Sequence, residues 1–267
     1  MTLGAADERA HRPDGDGWWE AWQLDVASDD GVGVAVLLAC APALGRAWWW
    51  THVILPDRPG PVVVRDHEVP LPRVGLEVRA DGLWGELVCE TSFEHWTYGL
   101  EAFGVALDDP GDSLRGEIGE RMPVGCDLEW EVDAENGSPR ERAGERLRGY
   151  EQFGVVHGEV LLGRSRVAID AIGRRVHAWG VPRWDQRVAE YWAARRGAGA
   201  TSAVVDALPA AVPLGAFVVP LDGPFVVPLD GPGGERAVLR RALCRYRPSG
   251  EIGPSAAIGW STVFEPE

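Results

Sequence analysis

Apolar and polar side chains alternate with a period of two along most of the chain, the pattern of strands with one buried face. From Trp18 to Ala27, Trp18, Glu20, Trp22, Leu24 and Val26 share one face, and Trp19, Ala21, Gln23, Asp25 and Ala27 share the other. Ser28-Asp29-Asp30-Gly31 is a turn signal, and the apolar run Val32–Ala41 completes a hairpin. The run Trp48–Leu55 is a further strand, in which His52 lies on the face of Trp48, Trp50 and Ile54, until Pro56, Pro59, Gly60 and Pro61 end it. Short strands follow at Val62–Val64 and Gly75–Ala80, and Asp81-Gly82 is a two-residue hairpin signal before Leu83–Glu90. In Glu94–Leu107 the residues His95, Glu101, Phe103, Val105 and Leu107 share one parity, which places a carboxylate along an apolar row. Val124–Asp133 alternates cleanly, and its acids Asp127, Glu129, Glu131 and Asp133 read as a solvated outer face rather than a metal site.

The polar stretch from Ala134 to Gly149 has no apolar period and is expected to separate two β domains, 1–140 and 141–267. Strands resume at Tyr150–Val160, Arg166–Ala171 and Gly173–Gly180, and again at 236–247 and 256–264. After Trp184 the spacing of Trp184, Val188, Tyr191 and Trp192, with Asp185 as a cap and Arg195, Arg196 and Gly197 at the end, predicts one short helix. The unit Phe-Val-Val-Pro-Leu-Asp-Gly-Pro at 217–224 is repeated at 225–232, and no function attaches to it. The fold class is therefore all-β. Closed antiparallel barrels of about eight strands enclose one small apolar ligand, which is the architecture expected here.

The 41 acidic and 26 basic residues leave a formal charge of -15, which repels phosphate backbones and anionic membranes and argues against a nucleic-acid partner. Cys40, Cys89, Cys126 and Cys244 are scattered in apolar settings without a Cys-x-x-Cys pair, so neither a zinc knuckle nor a redox dithiol is indicated. The N-terminal residues Asp7, Glu8, Arg9 and Asp14 do not form a signal peptide, and no run approaches the roughly 20 apolar residues of a membrane helix. The expectation is a cytoplasmic protein without stable membrane insertion. Phosphate-cradling glycine loops, nucleophile elbows and zinc helices are absent from the sequence.

The 13 tryptophans against 6 phenylalanines and 4 tyrosines change the picture, because indole is the strongest side-chain partner of a cation and also holds flat polyenes. In Gly173–Asp185, strand alternation projects Arg175, His177 and Trp179 together and turns Arg174, Val176 and Ala178 away. His177 reads either as an ordinary strand histidine bonded to a backbone carbonyl or as a proton-transfer group. Glu20 and Glu101 read either as acids kept protonated by desolvation or as buried partners of arginines. His95 is the remaining proton-transfer candidate.

Tyr150-Glu151-Gln152, the Gly158 strand and Arg175-Val176-His177-Ala178-Trp179-Gly180 with Arg183 and Trp184 resemble the lipocalin-like superfamily of carotenoid hydratases (hydroxyneurosporene synthase) and decalin-forming Diels–Alderases. Glu94-His95-Trp96, Glu101-Ala102, Asp127–Glu131 and Gly259–Glu265 are similar to an actinobacterial branch of it. The resemblance implies two consecutive lipocalin-like antiparallel barrel or sandwich domains, no cofactor or metal, and a pocket for an apolar polyene or isoprenoid at or between the domains. The family pattern Asp-His-(Asn or Ser)-Trp-Gly is met at His177, Trp179 and Gly180 but not at Val176 or Ala178, which puts acid-initiated hydration in doubt. The expected function is a cyclase or isomerase, hydratase-like or pericyclic. His177, Arg175, Glu101 and His95 are its candidate catalytic groups, and Trp179, Trp184, Trp96, Tyr150, Trp22 and Trp50 line its substrate site. The alternative is a non-catalytic carrier of an apolar small molecule, and a homodimer is compatible with either.

Overall fold

A computed structural model describes residues 3–115, 119–134, 137–142, 147–182, 187–196, 198–206, 211–221, 237–246 and 257–266. Its strands in chain order are β1 (Trp19–Ala27), β2 (Gly33–Ala41), β3 (Arg46–Ile54), β4 (Val62–Pro70), β5 (Leu76–Ala80), β6 (Leu83–Thr91), β7 (His95–Leu107) and β8 (Gly119–Val132). They continue as β9 (Arg140–Glu141), β10 (Leu147–Leu162), β11 (Ser165–Gly180), β12 (Val188–Arg195), β13 (Ala198–Val204), β14 (Ala211–Leu221), β15 (Ala237–Tyr246) and β16 (Ala257–Pro266). The protein is all-β and antiparallel, and among the described residues the helical ones form only short 3₁₀ turns such as Ala5–Glu8. Among the described residues no helix is long and apolar enough to cross a membrane.

The main sheet runs β4-β3-β2-β1-β11-β10-β8-β7, and β4 pairs back onto β7 through Val62 with Ala106 and Val63 with Val105, which closes eight strands into a barrel. β6 and β5 extend from the other stretch of the same edge of β7. The alternation read from the sequence sets the two faces. Trp22, Leu24 and Val26 of β1, Trp49 of β3, Trp96 of β7 and Trp130 of β8 belong to the apolar core inside the barrel. Trp130 is seated on two glycines that are register partners, Gly154 and Gly173. A Cβ at Gly154 would lie 2.7 Å from the indole and 2.1 Å from the Glu131 carbonyl oxygen, and one at Gly173 would lie 2.9 Å from the ring.

A second sheet, β13-β12-β16-β15-β14, covers the outer face of the barrel. Ala35, Leu37, Trp48 and Trp50 from outside the barrel meet Trp192, Leu243, Ile258 and Trp260 in a separate apolar core. The Trp260 indole N–H donates to the Val26 carbonyl at 3.0 Å. Polar groups in this interlayer are paired by charge. Asp25 accepts from Arg241 at 2.7 Å and from the Trp192 indole at 3.2 Å, Arg174 pairs with Glu151 at 2.8 Å, and Arg142 bridges Glu151 and Glu190.

The structure corrects the helix expected after Trp184. Val188–Arg195 is strand β12, paired with β16 through Trp192 opposite Trp260, while Trp184 itself lies outside the described residues. The spacing of Val188, Tyr191 and Trp192 suits a helical stripe, but these β-branched and aromatic residues also suit a pleated surface, and the open edge of β16 takes them as a strand. Pairing runs through the polar stretch at 140, since β10 joins β8 to β11, and the change of sheet falls between Gly180 and Val188. Of the repeated octapeptides, residues 222–232 lie outside the described residues.

Candidate functional site

The register of β1, β10 and β11 assembles one wall inside the barrel. Trp22 is opposite His177 and Leu24 opposite Arg175 on one side, while Tyr150 is opposite His177 and Gln152 opposite Arg175 on the other. Cross-strand partners share a face, so Trp22, Arg175, His177, Trp179, Tyr150 and Gln152 all project inward. Every one of them is at most 5% exposed. Burying so many polar groups requires partners, and the chain supplies some of them from ahead of β1. The turn Ala5–Glu8 and the residues to His11 lie over this wall, with Glu8 only 3% exposed.

His177 is held at both ring nitrogens. Nδ1 is 2.9 Å from the Asp7 carbonyl oxygen and Nε2 is 2.9 Å from Glu20 Oε1. A carbonyl oxygen only accepts, so Nδ1 carries a proton. Nε2 faces Glu20 either as the bare nitrogen of a neutral ring or as the second N–H of an imidazolium that donates to the carboxylate, and the imidazolium is the form able to give up a proton. Burial lowers the affinity of His177 for a proton below its ordinary value, and the hydrogen bond and charge of Glu20 oppose that effect. The ring is enclosed by Trp22, stacked at 4.6 Å between centroids, by Trp179 at 4.9 Å and by Tyr150 edge-on at 5.7 Å. His11 completes the cluster by stacking on Trp179 at 3.9 Å and bonding Glu20 through Nδ1 at 2.8 Å.

Arg175 lies beside this pair, with its guanidinium carbon 5.0–5.1 Å from the rings of Trp130, Trp96 and Tyr150. It donates to Glu8, to Gln152 and, at 3.3 Å, to the Tyr150 hydroxyl. Burial disfavours its charge, yet Tyr150 and Glu8 hold the guanidinium above its ordinary value. Glu8 also accepts from the Trp96 indole at 2.8 Å and from the Phe93 backbone N–H at 3.2 Å. Phe93 has φ 61°, the one non-glycine residue among those described with positive φ, and its carbonyl accepts from Gln152 at 3.1 Å. Strained backbone of this kind persists where its surroundings impose it, here so that an N–H enters the site.

Two expected catalytic residues are not brought to this wall. Trp96, Tyr98 and Leu100 take the inward positions of β7, so His95 and Glu101 point outward. His95 is half-buried near Glu129 at 3.7 Å, and Glu101 is exposed along with Phe103 rather than facing an apolar row. Trp50 is buried between the two sheets, where its indole donates to His67 at 2.7 Å. The sequence reading missed Glu8 and His11, because a short polar segment without period carries no signal for burial. The one available clue was the inward arginine, which demands an anion. All four cysteines are free, and burial pushes the Cys40 and Cys126 thiols up to about 12.

For metal binding, His11, Glu20 and His177 offer donor atoms within 4.8 Å of one another, as do the outward His95, Glu129 and Glu131. In the first set Glu20 Oε1 is already at hydrogen-bond length from both imidazoles.

A family model described as a domain of unknown function, DUF7064, matches residues 4–208, and so takes in the covering segment, the barrel and the start of the second sheet. The chain belongs to the DUF7064 family. Among solved structures, this DUF7064 protein is similar to a candidate AttH from Nitrosomonas europaea, with a TM-score of 0.50 and 11% identity over 98% of this chain and 97% of that one. It is also similar to CghA crystallised with Sch210972, with a TM-score of 0.43 and 11% identity over 94% of this chain and 88% of that one. The likeness to AttH is one of fold alone. No curated protein matches the sequence.

Proposed function

We propose that this DUF7064 protein is a cyclase or isomerase of an apolar, unsaturated small molecule, with the His177–Glu20 pair as its acid. The observation that carries the reading is His177 held between the Asp7 carbonyl and the Glu20 carboxyl group inside a box of Trp22, Trp179 and Tyr150. When the segment Asp7–His11 leaves the wall, Nδ1–H of His177 loses the Asp7 carbonyl and faces the vacated space. It protonates one carbon of a double bond, the π faces of the indoles stabilise the resulting cation, and Glu20 at Nε2 balances the ring. A second double bond then attacks the cation, and loss of a proton back to the pair closes the cycle with no net gain of atoms. Water in place of the second double bond would give a hydratase. Conformational restraint of a folded polyene by the same aromatic walls would serve a pericyclic reaction.

Deleting the gene in its host and restoring it as wild type, His177→Ala or Glu20→Gln tests the reading through the metabolite profile. The expected result is that the wild type restores a product that both variants fail to make, while substrate accumulates. Restoration by His177→Ala would make the protein a carrier and overturn the proposal.

A further inference from the structure

The inner wall has more hydrogen-bond donors than acceptors to meet them. Arg175 presents five N–H groups. Nη2 meets Glu8 and Gln152, Nη1 meets Tyr150, and Nε has no hydrogen-bond partner among the described residues. The indole N–H groups of Trp130, beneath the Arg175 guanidinium, and of Trp22 are also buried without a partner. Buried polar groups are ordinarily satisfied, so a surplus composed of donors alone marks a place suited to an anion.

Glu8 shows which kind of anion fits. Its carboxylate is received by Arg175, the Trp96 indole and the Phe93 N–H, all of them barrel groups, although Glu8 comes from the turn ahead of β1, 167 residues from Arg175. Tethered to that turn, it reaches Arg175 through Nη2 and leaves Nε bare. A carboxylate free of the chain can close on the Nε and Nη2 edge as a two-point pair, the stronger geometry for arginine. The same segment places the Asp7 carbonyl on His177 and His11 on Trp179, so its departure uncovers the aromatic box and the anion site together.

The geometry points to a carboxylic acid with an apolar unsaturated body as the ligand of this site, displacing Glu8 from Arg175. This rests on the reading of the His177 wall as an apolar substrate site. It also removes an electrostatic conflict in that reading, because a ligand carboxylate neutralises Arg175 before any cation forms nearby.

Cis-parinaric acid, a fluorescent polyene carboxylate, and its methyl ester test the assignment through energy transfer from the tryptophans of the full-length protein. The acid is expected to bind wild type at least tenfold more tightly than the ester. Glu8→Gln should tighten the acid a further tenfold or more and leave the ester within threefold, and the acid should raise the melting temperature of that variant where the ester does not. Arg175→Met should erase the preference for the acid; if that variant does not fold, the Glu8→Gln comparison carries the test. Equal affinity for acid and ester in both wild type and Glu8→Gln would overturn the carboxylate assignment while leaving the apolar site in place. Binding of neither probe to any form of the protein would overturn both.

Discussion

Val176 occupies the position where an acid precedes the histidine in the family pattern, and the structure shows why valine there does not disarm His177. Val176 is opposite Gln23 and Glu151 and faces out of the barrel, whereas His177 faces in. The carboxylate partner of His177 is Glu20, two residues along β1 from Trp22, the register partner of His177. An aspartate at 176 would join the outer set of charges beside Glu151, at a cost on the order of 1 kcal/mol for like charges across a strand pair. Val176→Asp is therefore expected to leave product formation within about twofold, whereas Glu20→Gln is expected to lower it about 100-fold or more, the scale of a lost general acid. Product yield from the restored deletion strain compares the two directly, and an unchanged yield in Glu20→Gln would remove the acid role. Gly154 makes a second residue-scale case. A methyl group there meets the Glu131 carbonyl and the Trp130 ring at once, so Gly154→Ala is expected to destabilise the fold by about 3 kcal/mol or to prevent folding. A urea midpoint equal to that of wild type would show that the barrel relaxes around it.

At the scale of elements, period-two alternation made most of the barrel legible, because a strand with one face in an apolar core cannot hide its register. The same rule identified Arg175, His177 and Trp179 as one wall. It failed where alternation is the wrong question. β12 is buried on both faces at Ala193 and Ala194, so its pattern is no longer binary and imitates a helix. The segment ahead of β1 is held by individual polar contacts through Glu8 and His11, which no periodicity encodes. The docking of the second sheet was equally invisible, since it depends on charges far apart in sequence. Asp25 is fully buried and meets Gln23, Trp192 and Arg241, with Arg174 at 3.8 Å. Asp25→Ala removes the carboxylate that Arg241 meets at 2.7 Å and leaves the Trp192 indole N–H without its acceptor, and a loss of roughly 3 kcal/mol is expected. Hydrogen exchange should rise in β12, β15 and β16 more than in β1 to β4, and uniform protection across both sheets would refute a docking role for Asp25.

For the molecule as a whole, acid is the informative stress because its buried histidines all shift the same way. Burial, aided by Arg65, lowers His67 to about 3, and burial also lowers His52 and His177. His67 accepts the Trp50 indole N–H at Nε2, which requires that nitrogen to be unprotonated. The unfolded chain, with histidines near about 6.5, binds more protons than the folded one between that value and the folded one. Stability is thus fullest above about pH 6.5 and declines as pH falls toward 3, with His67 alone contributing about 1–2 kcal/mol of loss by pH 5. Glu190, lowered to about 2 by Arg142 and Arg174 against the cost of burial, adds a later phase, since its stabilisation is lost only as pH falls from about 4.5 toward 2. The formal charge of -15 acts in the opposite sense, because protonating exposed carboxylates relieves their repulsion, so the histidine phase is best read at pH 5, before that relief is large. His67→Gln keeps an acceptor for Trp50 and removes the titration. Urea unfolding at pH 7 and pH 5 should show wild type losing about 1 kcal/mol more than the variant between the two, and equal losses would mean that His67 takes up its proton without disturbing the interlayer core.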